Sequence, residues 1–214
     1  MNKLNVEKKT AAVGMLCEGS SIRSVERIAG IHRDTVMRLG VRIGEGCRRI
    51  LDEKMRNLPC RLLQVDEVWG YVGMKQKTAF RKRRKRGVGD VWTWVALDSE
   101  TKLVPIFAVG DRSGYMADCF IEDLASRLSH RVQLSSDALR AYTDAVERAF
   151  GTGVDYGSIV KTFSHSDLEE QRRYSPPDVM NVKRIPVSGS PIVDLISTSH
   201  VRNKITLCGC TADA

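Results

Sequence analysis

The stretch Leu62-Leu63-Gln64-Val65-Asp66-Glu67-Val68-Trp69 constrains the fold most tightly. It reads as a mostly apolar strand with a carboxylate in its middle. A central strand buries both faces, and an unpaired buried carboxylate is costly. Asp66 is therefore expected to be paired, hydrogen-bonded or holding a cation. A second place of the same kind lies 71 residues later, at Arg131-Val132-Gln133-Leu134-Ser135-Ser136-Asp137, where an apolar strand runs into a carboxylate just before a helical pattern. Taken singly, each aspartate also reads as a helix cap or a turn residue. Two strand-borne aspartates on neighbouring strands can share a divalent metal, since Mg²⁺ takes one or two carboxylates and keeps several waters. In a basic chain the pair points to metal-assisted phosphoryl transfer on nucleic acid.

The chain is basic. Its 214 residues, enough for one sizeable domain and a small appendage, carry a net charge of +8. Excess positive charge favours polyanionic partners, because contacts with phosphates release counterions. Lys75, Lys77, Arg81, Lys82, Arg83, Arg84, Lys85 and Arg86 are eight cations with no acid among them, a run that alone equals the net charge. The run reads as a loop between two strands, either merely solvated or tracking a phosphate backbone, and density favours the second. At 42% hydrophobic and 28% charged residues the composition is that of a globular protein. No apolar run approaches the roughly 20 residues that span a membrane, and the N-terminus lacks the apolar core of a signal peptide. A cytoplasmic, nucleoid-associated protein without membrane contact is expected. Cys17, Cys47, Cys60, Cys119, Cys208 and Cys210 are scattered without a Cys-x-x-Cys pair, which argues for reduced thiols rather than zinc.

Along the chain, helices are expected over Val6 to Cys17, over Ile22 to Ala29 with Ile22, Val25 and Ile28 as the apolar stripe, and over Arg33 to Leu39. The turn Gly30-Ile31-His32 separates the last two. Helix, glycine turn and a helix opening on Arg33, Asp34, Thr35 and Arg38 is the helix-turn-helix layout, whose second helix enters the major groove; any small three-helix bundle gives the same periodicity. Val41 to Met55 continues as a linker helix, and Leu58-Pro59 breaks it, placing the domain boundary at 57/58. After the first strand and the basic run come strands over Val91 to Leu97 and Lys102 to Val109, joined by a turn at Asp98-Ser99-Glu100-Thr101. Asp98 and Asp111 read as turn residues, and Trp92 and Trp94 as core. A helix carrying Met116, Phe120, Leu124 and Leu128, the strand ending at Asp137, a helix over Leu139 to Phe150 and a strand over Tyr156 to Phe163 complete the pattern. His165 to Ser190, polar and broken by prolines, reads as a loop in which Arg172 and Arg173 are solvated. Three strands, a helix, a strand, a helix and a strand make an RNase H-like arrangement, in which acids converge from the first and fourth strands. The expected fold is α/β: an N-terminal helix-turn-helix, then an RNase H-like mixed sheet flanked by helices, incomplete at the C-terminus.

Several longer motifs stand out: Val-Asp-Glu-Val-Trp at 65–69, Gly-Asp-Val-Trp-Thr-Trp-Val-Ala-Leu-Asp at 89–98, Val-Gly-Asp-Arg-Ser at 109–113, Arg-Val-Gln-Leu-Ser-Ser-Asp at 131–137, Ala-Tyr-Thr-Asp-Ala-Val-Glu at 141–147, Val-Asp-Tyr at 154–156, Arg-Tyr-Ser-Pro at 173–176 and Ser-Thr-Ser-His-Val at 197–201. Together they resemble the small DDE transposases of bacterial insertion sequences of the IS-one type. The resemblance implies a DNA-binding domain at 1–57 that holds the element's terminal repeats, a catalytic domain at 58–207, and a tail at 208–214 outside the family pattern. It implies Mg²⁺- or Mn²⁺-dependent cleavage and strand transfer by a homo-oligomer on double-stranded DNA, with Asp66 and Asp137 as the first two catalytic, metal-holding acids. The family's third acid is a glutamate soon after the Ser-Thr-Ser motif. Here the chain reads Val201-Arg202-Asn203-Lys204-Ile205-Thr206, one residue short and without a glutamate. Glu169, Glu170 and Asp194 are the acids that could substitute as third ligand, and their loop setting argues against it. The chain is thus expected to be a truncated, damaged copy, weak or inactive in DNA cleavage. The rival expectation is a non-catalytic DNA-binding remnant that represses the intact element.

Overall fold

The computed structural model describes residues 4–83, 87–163 and 179–202. The chain divides into two compact units, one within 1–55 and one beginning at Arg56.

The first unit is three helices: α1 (Val6–Cys17), α2 (Ile22–Ala29) and α3 (Arg33–Lys54). Each start has its cap. The Asn5 side chain accepts from the Lys8 N–H, Ser21 from Ser24, and His32 Nδ1 from Asp34. Gly30 ends α2 in the left-handed region (φ 62°), a conformation that costs glycine little. Glu26 then reaches from α2 to accept the Arg33 N–H at 2.9 Å, fixing the turn between the helices. The core is small: Ala12, Val25, Ile31 and Val36. Ile28, expected in the stripe of α2, is 72% exposed, and the turn residue Ile31 is buried in its stead. The chain turns at Gly30, which brings the side chain after it, not the one before, under the bundle. The third helix and the linker helix are one unbroken 22-residue α3.

The second unit is a mixed six-stranded sheet flanked by helices. Its elements are β1 (Leu62–Val72), α4 (Gln76–Arg81), β2 (Gly89–Asp98), β3 (Ile106–Gly110), α5 (Gly114–Ser126), β4 (Val132–Asp137), α6 (Arg140–Phe150), β5 (Val154–Phe163) and β6 (Val179–Ser188). The strand order is β3-β2-β1-β4-β5-β6. β1, β4 and β5 run parallel, while β2 and β6 are antiparallel to their neighbours. This order is compatible with the RNase H-like arrangement expected from the sequence.

Two differences from the sequence reading have physical causes. The basic run is not all loop: Gln76–Arg81 forms a short helix, pinned because the Gln76 N–H donates to Asp90 Oδ1 (2.8 Å) and the Asp90 N–H donates back to Gln76 Oε1 (3.2 Å). The proline-broken segment contains the ten-residue strand β6, exposed over nearly its whole length. β6 pairs with β5 on one side only, and such an edge tolerates Pro186. Arg172 and Arg173 lie outside the described residues.

The core explains the alternation in β1. Leu63 and Val65 join Trp94, Ala96, Val132, Leu134, Val154 and Tyr156 against Phe120, Ile121 and Leu124 of α5 and Tyr142, Ala145 and Val146 of α6. Trp94 is fully buried, its ring edge-on to Tyr142 (5.5 Å) and 5.8 Å from Phe120. Gln64 and Asp66 point to the opposite face by strand alternation and are buried too. A strap over residues 190–202 covers that face. Gln133 clamps it by donating to the Ile192 carbonyl (3.0 Å) and accepting the Ile192 N–H (2.9 Å). Gln64 Oε1 accepts the N–H groups of His200 (3.0 Å) and Val201 (3.2 Å). Between the two clamps the Ile196 side chain fills the space that a side chain on Gly157 would need.

Candidate metal centre

Register brings Asp66 and Asp137 together. β1 and β4 pair Leu62, Leu63 and Gln64 with Gln133, Leu134 and Ser135. Both aspartates lie two residues past the last of these pairs, where the ladder ends. The carboxylates of Asp66, Glu67 and Asp137 offer oxygens that all lie within 4.8 Å of one another, a group that can hold a metal ion. Three oxygen-only ligands suit a hard divalent cation.

Sequence reasoning missed Glu67. The signal was present: a second acid directly after Asp66 in an otherwise apolar run. Its side chain is 1% exposed. Glu67 Oε1 and the Tyr142 hydroxyl are both buried without a hydrogen bond of ordinary geometry, although the two groups face each other. Burial above all, then the nearby Asp137 and Asp66 charges, push the Glu67 carboxyl up to about 7, against the opposing pull of Tyr142 and Arg112. Burial likewise raises the Asp66 carboxyl, with Arg202 working against it and Asp137 with it. The Tyr142 hydroxyl is held well above its usual range by burial and by these same carboxylates.

Two arginines answer the negative charge. Arg112, in the loop after β3, donates through Nε to Glu67 Oε2 (3.1 Å) and lies 3.7 Å from Asp137 Oδ2. Its guanidinium stacks over the Trp92 ring at 4.8 Å, so Trp92, expected as plain core, also orients a cation. Arg202 comes from the helical turn at the end of the strap and donates through Nε to Asp66 Oδ2 at 2.6 Å. A cavity of about 330 Å³ opens beside the acids, with Arg112, Asp137, Arg140, Lys161 and Arg202 in its wall. Burial, and then the Arg202 charge, lower the Lys161 ammonium below its usual range.

The remaining candidates are placed as follows. Asp98 and Asp111 are turn residues: Asp98 accepts from Glu100 and Thr101, and Asp111 Oδ1 from Ser113. Asp194 is exposed on the strap and outside the acidic group, and Glu169 and Glu170 lie outside the described residues. Arg33, Asp34 and Arg38 are exposed on the first turns of α3, with Thr35 half-buried. Lys75, Lys77, Arg81, Lys82 and Arg83 are exposed on and beside α4, and the Lys75 ammonium sits 4.9 Å over the Trp69 ring. Arg84, Lys85 and Arg86 lie outside the described residues. No described helix is long and apolar enough to cross a membrane. Among the described residues Cys17, Cys47, Cys60 and Cys119 are free thiols; the sequence reads them as mostly buried, but Cys17, Cys47 and Cys119 are exposed, and burial pushes Cys60 up to about 11.

Compared with known proteins, the chain matches no family model and no curated sequence.

Proposed function

We propose that the chain is a DNA-binding protein of the insertion-sequence transposase type, with a phosphoryl-transfer centre at Asp66, Glu67 and Asp137 on an RNase H-like sheet. The observation that carries this reading is the convergence of Asp66 and Asp137 from adjacent parallel strands onto one acidic cluster. Mg²⁺ or Mn²⁺ bound there would activate a water or 3′-hydroxyl and stabilise the leaving oxygen of an in-line displacement. The protein's own groups set the conditions. Asp66 and Asp137 would hold the ion from neighbouring strands, Glu67 would add a buried oxygen that faces Tyr142, and Arg112 holds Glu67 and Asp137 in place. Lys161 and Arg140, in the wall of the adjoining cavity, present positive charge to a phosphodiester.

In this reading the first unit is a helix-turn-helix. α3 offers Arg33, Asp34, Thr35 and Arg38 to the major groove of the element's terminal repeats, and the cations around α4 follow the backbone of the same or the target duplex. A homo-oligomer on double-stranded DNA, associated with the nucleoid, is the working form.

A second reading is favoured by one contact. Arg202, in the segment where the resemblance expects a glutamate and the chain is one residue short, bonds to Asp66. A cation in place of an acid favours a protein that binds DNA and cleaves it weakly or not at all, a repressor of the intact element. Both readings are tested on a labelled duplex carrying a terminal repeat, in Mg²⁺ and Mn²⁺, with Asp66→Asn as control and a salt-titrated binding assay alongside. Specific nicking that the control loses supports the enzyme; binding with a steep salt dependence and no nicking supports the repressor; neither binding nor nicking sinks both.

A further inference from the structure

The acidic cluster has six carboxylate oxygens, and five of them are engaged. Asp66 Oδ1 accepts the Glu67 N–H (2.9 Å) and Asp66 Oδ2 accepts Arg202 Nε (2.6 Å). Glu67 Oε2 accepts Arg112 Nε (3.1 Å), Asp137 Oδ1 accepts the Leu139 N–H (2.9 Å), and Asp137 Oδ2 faces Arg112 at 3.7 Å. Glu67 Oε1 is buried and faces only the Tyr142 hydroxyl among the described residues, without a hydrogen bond of ordinary geometry. The backbone N–H bonds are compatible with metal coordination, because a carboxylate oxygen keeps a second lone pair. The guanidinium groups are a different matter, since they are cations sitting where a cation would go.

The two arginines are held in different ways. Arg112 is stacked on Trp92 and bridges two acids. Arg202 has a side chain 45% exposed, opposite an Asp66 side chain that is 6% exposed. It closes the solvent side of a carboxylate that is otherwise buried, and it is tethered there by the Gln64 clamp on His200 and Val201. A tethered cation competes at a high effective concentration, whatever its intrinsic affinity.

We propose that Arg202 is the resident cation of the acidic cluster, occupying Asp66 in place of a divalent ion and having to swing out before one binds. This rests on the reading of the cluster as a metal site. A site open only when Arg202 is out binds with an affinity reduced by the open fraction, and removing the side chain removes that penalty.

The test is Mn²⁺ binding to the full-length chain, followed by electron paramagnetic resonance of the free ion. Wild type, Arg202→Ala and Arg202→Gln are compared, each with and without Asp66→Asn. Both Arg202 variants should bind Mn²⁺ about tenfold or more tightly than wild type, and Asp66→Asn should abolish the gain. Glutamine keeps the aliphatic stem and a polar end without the charge, so its result stands even if alanine disturbs the strap. Equal affinities in wild type and both variants, all weakened by Asp66→Asn, would overturn the competition while leaving the metal site intact. Mn²⁺ binding insensitive to Asp66 in every variant would overturn the metal site and the inference with it.

Discussion

Arg202 and Asp66 are separated by 136 positions along the chain, yet Nε and Oδ2 lie 2.6 Å apart. The contact ties the end of the strap to a carboxylate buried in the central strand. Its two partners are unequal. Asp66 is buried and needs a counter-charge, whereas Arg202 is half in solvent.

That inequality sets the outcome of removing Arg202. In chelator, Arg202→Ala should lower stability by about 1–2 kcal/mol, the scale of a hydrogen bond to a charged group discounted for solvent screening. Millimolar Mn²⁺ should shrink the loss, because the ion supplies the missing charge on Asp66. Urea unfolding with and without metal measures both, and a loss unchanged by Mn²⁺ would contradict the exchange of one cation for another.

Much of this arrangement was legible in the sequence, and the parts that were not have a common cause. The carboxylate in an apolar run at Asp66, and its counterpart at Asp137, announce themselves because a buried charge in a strand is expensive. Periodicity placed α1 and α2 because Gly19 and Gly30 punctuate them. β6 was not legible, because Lys183 and Arg184 interrupt its apolar alternation and Pro186 reads against a strand. Glu67 was hidden by its neighbour, since strict alternation sends adjacent residues to opposite faces and discourages reading both into one site. Arg202 could be noticed as a missing acid but not as a bonded cation. Only the strap, folded back by two glutamines, brings it to Asp66.

Those glutamines give the next expectation. Gln64 Oε1 accepts two strap N–H groups from inside the sheet, and both bonds disappear in Gln64→Met, a substitution of similar volume. Leaving buried N–H groups unpaired costs about 1–3 kcal/mol each where the chain cannot move, and less where it can. The strap should therefore lift. Proteolysis near residues 199–202 under native conditions should accelerate, and the hydrogen-exchange protection of the His200 and Val201 amides should fall, while α5 and α6 keep theirs. Unchanged protection at these two amides would mean that the clamp does not hold the strap.

Gly157 and Ile196 form a tighter test of the same packing. The Ile196 side chain lies where a Cβ on Gly157 would be, so Gly157→Val forces the strap away from β5. Overpacking of this kind costs about 1–3 kcal/mol. Ile196→Ala alone opens a cavity at a fully buried position and costs about 2–5 kcal/mol. In the double variant the new side chain fills the space that Ile196 vacated, so the combined loss should fall below the sum of the two single losses. Additivity, measured by denaturant unfolding of all four proteins, would show that the two sites do not share that space.

The last expectation concerns acid stability and lies outside the acidic cluster. Asp155 accepts from Arg131 through both carboxylate oxygens, Nε at 2.8 Å and Nη2 at 2.6 Å, and its Oδ1 also accepts the Ser190 N–H at 2.8 Å. The bidentate Arg131 contact first, and the Ser190 bond second, hold the carboxyl down to about 2, below its ordinary value. A depressed folded-state pKa means that the unfolded chain takes up the proton first. The stabilisation is fully present above the unfolded value near 4, and is lost as the pH falls from there to about 2. The carboxyl is partly exposed and screened, so the gain is modest, but its pH window is diagnostic. In Asp155→Asn the melting temperature should be lower at pH 6. Its fall between pH 4 and pH 2 should be shallower than in wild type, with the two curves converging near pH 2. Parallel curves across that interval would show that the Arg131–Asp155 pair, although bonded in the fold, does not couple protonation to stability.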